Sequence, residues 1–267
     1  MQSTRPSNFS LALQDLTSGI GSIYIWPMLG WLEIKQRYRR SVIGPFWLTL
    51  SSGVMIAAMG PLYGRLFGQD LSIYLPYLAV SLILWSMIGG LITESCQVFI
   101  AAEGFIKQIK LPYTVHVMRV IWRNLIIFAH NLIVVMVVLM IFPPGWDWHL
   151  LLFPVAVVLL AVNAIWVGLL LGLMCARFRD IAPIVASLLQ VAFFLTPVMW
   201  RPEMLGRHQW ALQLNPLYYF LETIRAPLLG QEIDPELWAG VVAITVIGYA
   251  LTLLLFGRFR ARIPYWV

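Results

Sequence analysis

The sequence predicts an all-α polytopic membrane protein with six transmembrane helices, and three observations carry that expectation. The 267 residues are 60% hydrophobic and only 11% charged, with a mean hydropathy of +0.82. Soluble domains are about one quarter charged, so this chain cannot clothe a globule in solvated side chains. That excludes a cytosolic enzyme, a disordered regulator and a secreted domain. Apolar runs of about 20 residues, the length that crosses roughly 30 Å of hydrocarbon, recur along the chain. Basic residues crowd beside alternate ends of these runs, as membrane topology requires. The net charge of +6 is therefore a topology signal, and nucleic acid is not an expected partner.

Residues 1–18 are mixed and polar, with neither a charged leader before an apolar core nor a small-residue cleavage site, so no cleaved signal peptide is expected. The following apolar stretch is too short to span and turns strongly basic. Helical spacing from Pro27 puts Trp31, Ile34 and Tyr38 on one face and Glu33, Arg37 and Arg40 on the other. That pattern predicts an amphipathic helix lying in the cytoplasmic interface; a plain basic anchor before the first span is the alternative. Residues 1–43 thus form an N-terminal cytoplasmic segment, 44–258 the transmembrane domain and 259–267 a cytoplasmic tail.

The spans are expected at about 44–67, 74–100, 115–142, 150–175, 181–200 and 237–256. Gly68, Gln69 and Asp70 turn the chain after the first, and PPGWDWH supplies turn formers and interfacial tryptophans after the third. Residues 201–234 are broken by Pro202, Gly206, Pro216, Pro227 and Gly230 yet stay apolar and aromatic. They read as short helices that dip into or lie on the far interface, not as a further crossing. With the N-terminus inside, cytoplasmic segments hold 14 of the 18 basic residues against four acids, while the far side holds four against seven. Both termini are then cytoplasmic.

Familiar catalytic patterns are missing. No GxxxxGK[ST], HExxH, CxxC or Gly-x-Ser-x-Gly occurs, so no ATP site, metal or catalytic residue is expected on this chain. Cys96 and Cys175 lie in or at the end of apolar runs and read as packed, inert thiols. Asp147 beside His149 reads as a solvated turn. His130 in mid-span reads as a neutral ring bonded to a neighbouring helix rather than a proton relay. Span centres are nearly free of charge, which argues against ion coupling. The energy source is expected to be a partner protein.

A docking element for that partner is AAEGFIKQIKLPY. Glu103, Lys107 and Lys110 share one helical face, with Glu103 and Lys107 in the favourable i, i+4 order. Phe105, Ile106 and Ile109 form the other, and Pro112 closes the segment. Such a helix either inserts its apolar face into another protein's groove or rests on lipid.

The runs RYRRSVIGPFW, GFIKQIKLPY, RFRDIAPIVASLLQVAFFLTPVMW and NPLYYFLETIR and the ending RIPYWV occur in that order. In this order they resemble the type-2 ABC transporter permeases that export O-antigen, capsule and teichoic acid polysaccharides, from about residue 30 to the end. The resemblance implies a homodimer of six-span subunits with two cytoplasmic ABC ATPase subunits, which bring the ATP and magnesium. It implies that 102–111 is a coupling helix (Glu103, Gly104, Phe105, Ile106, Lys107, Ile109) and that the substrate is a polysaccharide on an undecaprenyl diphosphate-type lipid. It also implies the bacterial inner membrane as the location, with the short helices between spans five and six re-entrant on the periplasmic side.

The residues fit that chemistry on their own terms. Aromatic rings stack on the CH faces of sugars without demanding a register, and the chain carries 14 Phe, 12 Trp and 10 Tyr. Trp47, Tyr63, Trp85, Trp122, Phe193, Phe194 and Trp200 are candidates for lining a conduit, against ordinary packing on lipid or neighbours. Arg119 and Arg123, one turn apart, either snorkel to lipid phosphates or meet a diphosphate where substrate enters; Arg37, Arg39 and Arg40 carry the same two readings. Glu222 and Arg225, three apart, are expected to pair. The rival functions are export of a drug or other small amphiphile by the same plan, and a membrane-embedded enzyme, for which no convergent site can be assembled.

Overall fold

A backbone in hydrocarbon has to satisfy its own hydrogen bonds, so apolar runs become helices. The computed structural model describes residues 8–39, 44, 46–232 and 234–267, and the described residues form helices without a strand. In chain order these are α1 (Asn8–Gly21), α2 (Trp26–Arg37), α3 (Phe46–Leu66), α4 (Leu71–Gln97), α5 (Glu103–Gln108) and α6 (Tyr113–Ile141). They continue as α7 (Leu152–Arg177), α8 (Ile181–Leu195), α9 (Pro216–Leu228), α10 (Pro235–Phe259) and α11 (Ile263–Trp266), with 3₁₀ segments at Trp148–Leu151, Pro202–Leu214 and Arg260–Arg262. Five of them, α3, α4, α6, α7 with its leading turn and α10, are long and apolar enough to cross a membrane.

The centre of the bundle is α4, which packs against α3, α6, α7, α8 and α9. Small residues let its neighbours come close: a Cβ on Gly172 of α7 would sit 2.5 Å from Val98 and 2.9 Å from Phe99. Cys96 and Cys175 are buried at this contact as free thiols.

The fifth apolar run differs from its expected span. As a helix it stops at Leu195 after 15 residues, about 22 Å, short of the roughly 30 Å a crossing needs. The cause is local, because Thr196 precedes Pro197 and is extended, with ψ 138°. The chain nevertheless travels the length of α4. It leaves α7 beside Val98, and Pro197 and Met199 accept hydrogen bonds from the Tyr77 and Tyr74 hydroxyls at 2.7 and 2.6 Å. Residues 202–214 follow as 3₁₀ turns kinked at Gly206 (φ +52°), and Asn215 caps α9 through Leu217 N–H.

Two readings of the N-terminal region need correction. The segment 1–18 is not merely polar, since α1 occupies Asn8–Gly21 and buries Ala12, Asp15, Leu16 and Gly19 against α6 and α10. Asp15 caps another helix. Its oxygens accept from Tyr113 N–H and Thr114 N–H at 3.1 Å and from the Thr114 hydroxyl at 2.9 Å. An aspartate on an apolar face looks solvated until its partner, some hundred residues away, is known. The second correction concerns α2, where Glu33 does not sit on a solvated face but reaches α6. The tail after residue 258 also folds back: Arg260 donates to Leu11 O, and α11 rests on α7 and α5.

Replacing Asp15 by alanine strands the first two amides of α6, at a cost of about 1–3 kcal/mol. Asp15→Ala should lower the thermal midpoint in detergent and expose α1 to protease while α10 stays protected. An unchanged digestion pattern would show that α1 is held without this cap.

Candidate functional site

Where α2, α4 and α6 meet, five charged side chains form one network. Glu33 of α2 pairs with Arg119 (2.9 Å) and Arg123 of α6, and Arg123 continues to Glu94 of α4 at 2.7 Å. Asn124 donates to the same Glu94 oxygen, and Arg37 lies 3.6 Å from its other oxygen. Arg119 is only 5% exposed. Its position and spacing suggest a snorkelling cation, but the carboxylate that holds it, Glu33, sits on another helix. Glu33 and Glu94 lack a signature of their own in sequence, since each is a single acid near the end of an apolar or basic run. Arg39 is exposed beside a shallow cleft of ≈ 470 Å³ shared with Trp31, Lys35 and Tyr38. Arg40 lies outside the described residues.

Below this network, α5 is a helix of six residues. Its expected apolar face is divided: Ile106 turns inward onto the core, whereas Phe105 (40% exposed) and Ile109 (50%) turn out. Glu103 and Lys107 pair at 2.7 Å, and that hydrogen bond holds the Glu103 carboxyl below its ordinary range. Gly104 is exposed between them. Beyond α5 a cleft of ≈ 630 Å³ opens between Leu11, Gln14 and Asp15 of α1, residues 106–113, Arg260 and Pro264.

The candidate conduit aromatics do not form one patch within the chain. Phe193 stands edge-on to Trp85 at 5.7 Å and to Phe194 at 5.3 Å, and Trp200 donates to Phe194 O, so four of the seven cluster along α4 and α8. Trp122 instead packs edge-on to Trp26 of α2. Tyr63 contacts Phe67, and Trp47 is 56% exposed on α3. His130 bonds Ile126 O within its own helix rather than a neighbour, with its ring against Phe46 of α3.

At the opposite end of the bundle the expected Glu222–Arg225 pair forms. Its arginine goes deeper than sequence suggests: Arg225 is fully buried, donates to Ser81 Oγ (2.8 Å) and Pro197 O (2.6 Å), and lies over the Tyr77 ring. Asp147 and His149 pair in the turn before α7. Among the described residues, no three His, Cys, Asp or Glu side chains are grouped as metal ligands would be.

The profile of the family described as ABC-2 type transporter matches residues 26–229. The chain is also similar to the O-antigen export system permease protein RfbA of Myxococcus xanthus, 24% identical over 219 residues that cover 80% of this chain and 84% of that one.

The Glu33–Arg119–Arg123–Glu94 network makes a measurable claim. In a double-mutant cycle on Glu94→Ala and Arg123→Ala, thermal unfolding should return a coupling of about 1–3 kcal/mol. A coupling near zero would mean that Arg123 is not held by Glu94, leaving Glu33 as its carboxylate partner.

Proposed function

The chain belongs to the ABC-2 type transporter family, and from that premise we propose that it is the permease subunit of an ATP-driven exporter of a lipid-linked, O-antigen-like polysaccharide. The observation that carries the proposal is the match over four fifths of the chain to an O-antigen export permease. The substrate moves from the cytoplasmic to the periplasmic side of the inner membrane. Six crossings are proposed, the fifth in chain order made by α8 together with residues 196–200. Their support is the hydrogen bonding of Pro197 and Met199 at the far end of α4.

Force enters through α5, between α4 and α6. Outward-facing Phe105 and Ile109 suit the groove of a cytoplasmic ATPase, two copies of which serve a homodimer. The dimer and its conduit draw on α3 and α8. The latter has no buried residue, and its Ile184, Leu188, Val191 and Leu195 face outward at helical spacing. Phe193, Phe194, Trp85 and Trp200 beside them offer stacking faces to sugars. Arg39, Arg40 and the exposed flank of Arg37 receive the lipid diphosphate, while Arg119 and Arg123 act from within the carboxylate network.

Truncating a large apolar anchor at an interface costs about 2 kcal/mol or more, and rim charges much less. Phe105→Ala should therefore reduce co-purification of the ATPase or uncouple hydrolysis from export, whereas Lys110→Ala should leave both near wild type. Wild-type assembly and export in Phe105→Ala would place the coupling contact elsewhere.

Topology supplies an independent check. Reporter fusions after Asp70, Trp146 and Glu232 should give periplasmic signals, and fusions after Lys110, Arg179 and Val267 cytosolic ones. Opposite signals after Arg179 and Glu232 are required by the crossing assigned to α8, and a cytosolic signal after Glu232 would remove it.

A further inference from the structure

Five arginines meet a carboxylate: Arg37, Arg119, Arg123, Arg201 and Arg225 each lie within 4.0 Å of one. The arginines at the ends of α7 and α10 are different. Among the described residues, neither Arg177 nor Arg262 has an acidic side chain within that distance. Arg177 lies 5.5 Å from the Phe178 ring centre and 5.2 Å from that of Trp266, and Arg262 lies 5.6 Å from that of Phe259. Aromatic faces orient a guanidinium but leave its charge and donors available.

Both arginines border one cleft of ≈ 320 Å³, whose remaining walls are Leu173, Met174, Phe178, Leu255, Phe259 and Trp266. Leu173, Met174 and Leu255 belong to the apolar helices α7 and α10, so that part of the cleft lies at hydrocarbon depth. The basic and aromatic part lies where those helices end. An occupant has to be apolar along one portion and anionic at the other. Basic pockets at the ends of membrane helices hold anionic lipid headgroups for this reason, and Trp and Phe rings suit the boundary between headgroup and chain.

We propose that this cleft between α7, α10 and α11 is a binding site for a resident anionic phospholipid of the bilayer, with Arg177 and Arg262 on the phosphate and an acyl chain along Met174 and Leu255. The site lies apart from α2 and its network, because α2 packs on α6 whereas α10 and α11 pack on α7. Half of its walls, from Leu255 to Trp266, fall beyond residue 229, where the family match ends. The site rests only on the chain spanning a bilayer, not on the polysaccharide assignment.

The test uses the full chain in phosphatidylcholine vesicles, without ATPase or polymer, and compares photoactivatable phosphatidylglycerol with photoactivatable phosphatidylcholine. Peptide mapping should place the anionic label on residues 173–178 and 255–266, in excess over the zwitterionic label by roughly tenfold. The excess should vanish in the Arg177→Gln, Arg262→Gln double variant and persist with lysine at both positions. Equal labelling by the two probes in the wild-type chain would overturn the site, whether or not the glutamine variant folds. So would an anionic excess unchanged in a folded glutamine variant. Loss of the wild-type label on adding the ATPase subunit would assign the cleft to that protein and equally overturn the proposal. Failure of polymer export assays would leave the labelling result untouched, so the two readings fail separately.

Discussion

A guanidinium inside an apolar bundle has to bring its counter-charge with it, because no water is present to replace one. That requirement organises both ends of α4. At one end Glu94 receives Arg123, and through Glu33 the network ties α2 to α6. At the other, Ser81 and the Tyr77 ring receive Arg225, which arrives with Glu222 on α9. The two clamps are roughly 20 Å apart along the helix. Between them α4 buries aliphatic side chains against α6 and α7, so it is fixed by directional bonds at its ends and by close packing in its middle.

The far clamp also explains the irregular segment that follows α8. Pro197 breaks that helix and frees carbonyls that need donors, and Tyr74, Tyr77 and Arg225 supply them. Asn215 then bonds the Thr196 hydroxyl at 2.8 Å while capping α9. The proline-rich stretch is thus held from two sides, and the cost of interrupting a helix at membrane depth is offset by side chains already fixed on α4 and α9.

What is legible in the sequence follows from the range of the interactions. Long apolar runs announce α3, α4, α6, α7 and α10 because hydrocarbon acts on every residue alike. The faces of α5 are partly legible, since Glu103 and Lys107 are four apart, but which of Phe105, Ile106 and Ile109 turns inward depends on His116 and the core beside it. Asp15, Glu33 and Glu94 are illegible for one shared reason. Each is a single acid whose partner lies on another helix, and local spacing carries no trace of it. Glu222 and Arg225 announce themselves as a pair, yet the depth of Arg225 depends on Ser81 and Pro197, which only the fold brings together. Helix α1 escapes notice because the long-run criterion that finds spans ignores a 14-residue helix docked by one carboxylate.

The same interactions indicate where the bundle yields. α4 is clamped at both ends, and α6 is tied to it by Arg123 and Asn124 and to α2 by Arg119. By contrast α8 buries no side chain, and α3 presents Trp47, Leu50, Val54 and Leu62 outward, meeting α6 through a 3.3 Å hydrogen bond between Thr49 and Asn131 and the apolar contact of Phe46 with the His130 ring. Displacing α4 or α6 means separating buried charges, at several kcal/mol for each broken pair. Sliding α3 or α8 exchanges one apolar contact for another at little electrostatic cost. A load applied at α5 enters α4 and α6 directly, and these move as one body with α2. On the proposed reading, a glycan passage then opens by motion of that body relative to α3 and α8, which make no ion pair with it among the described residues.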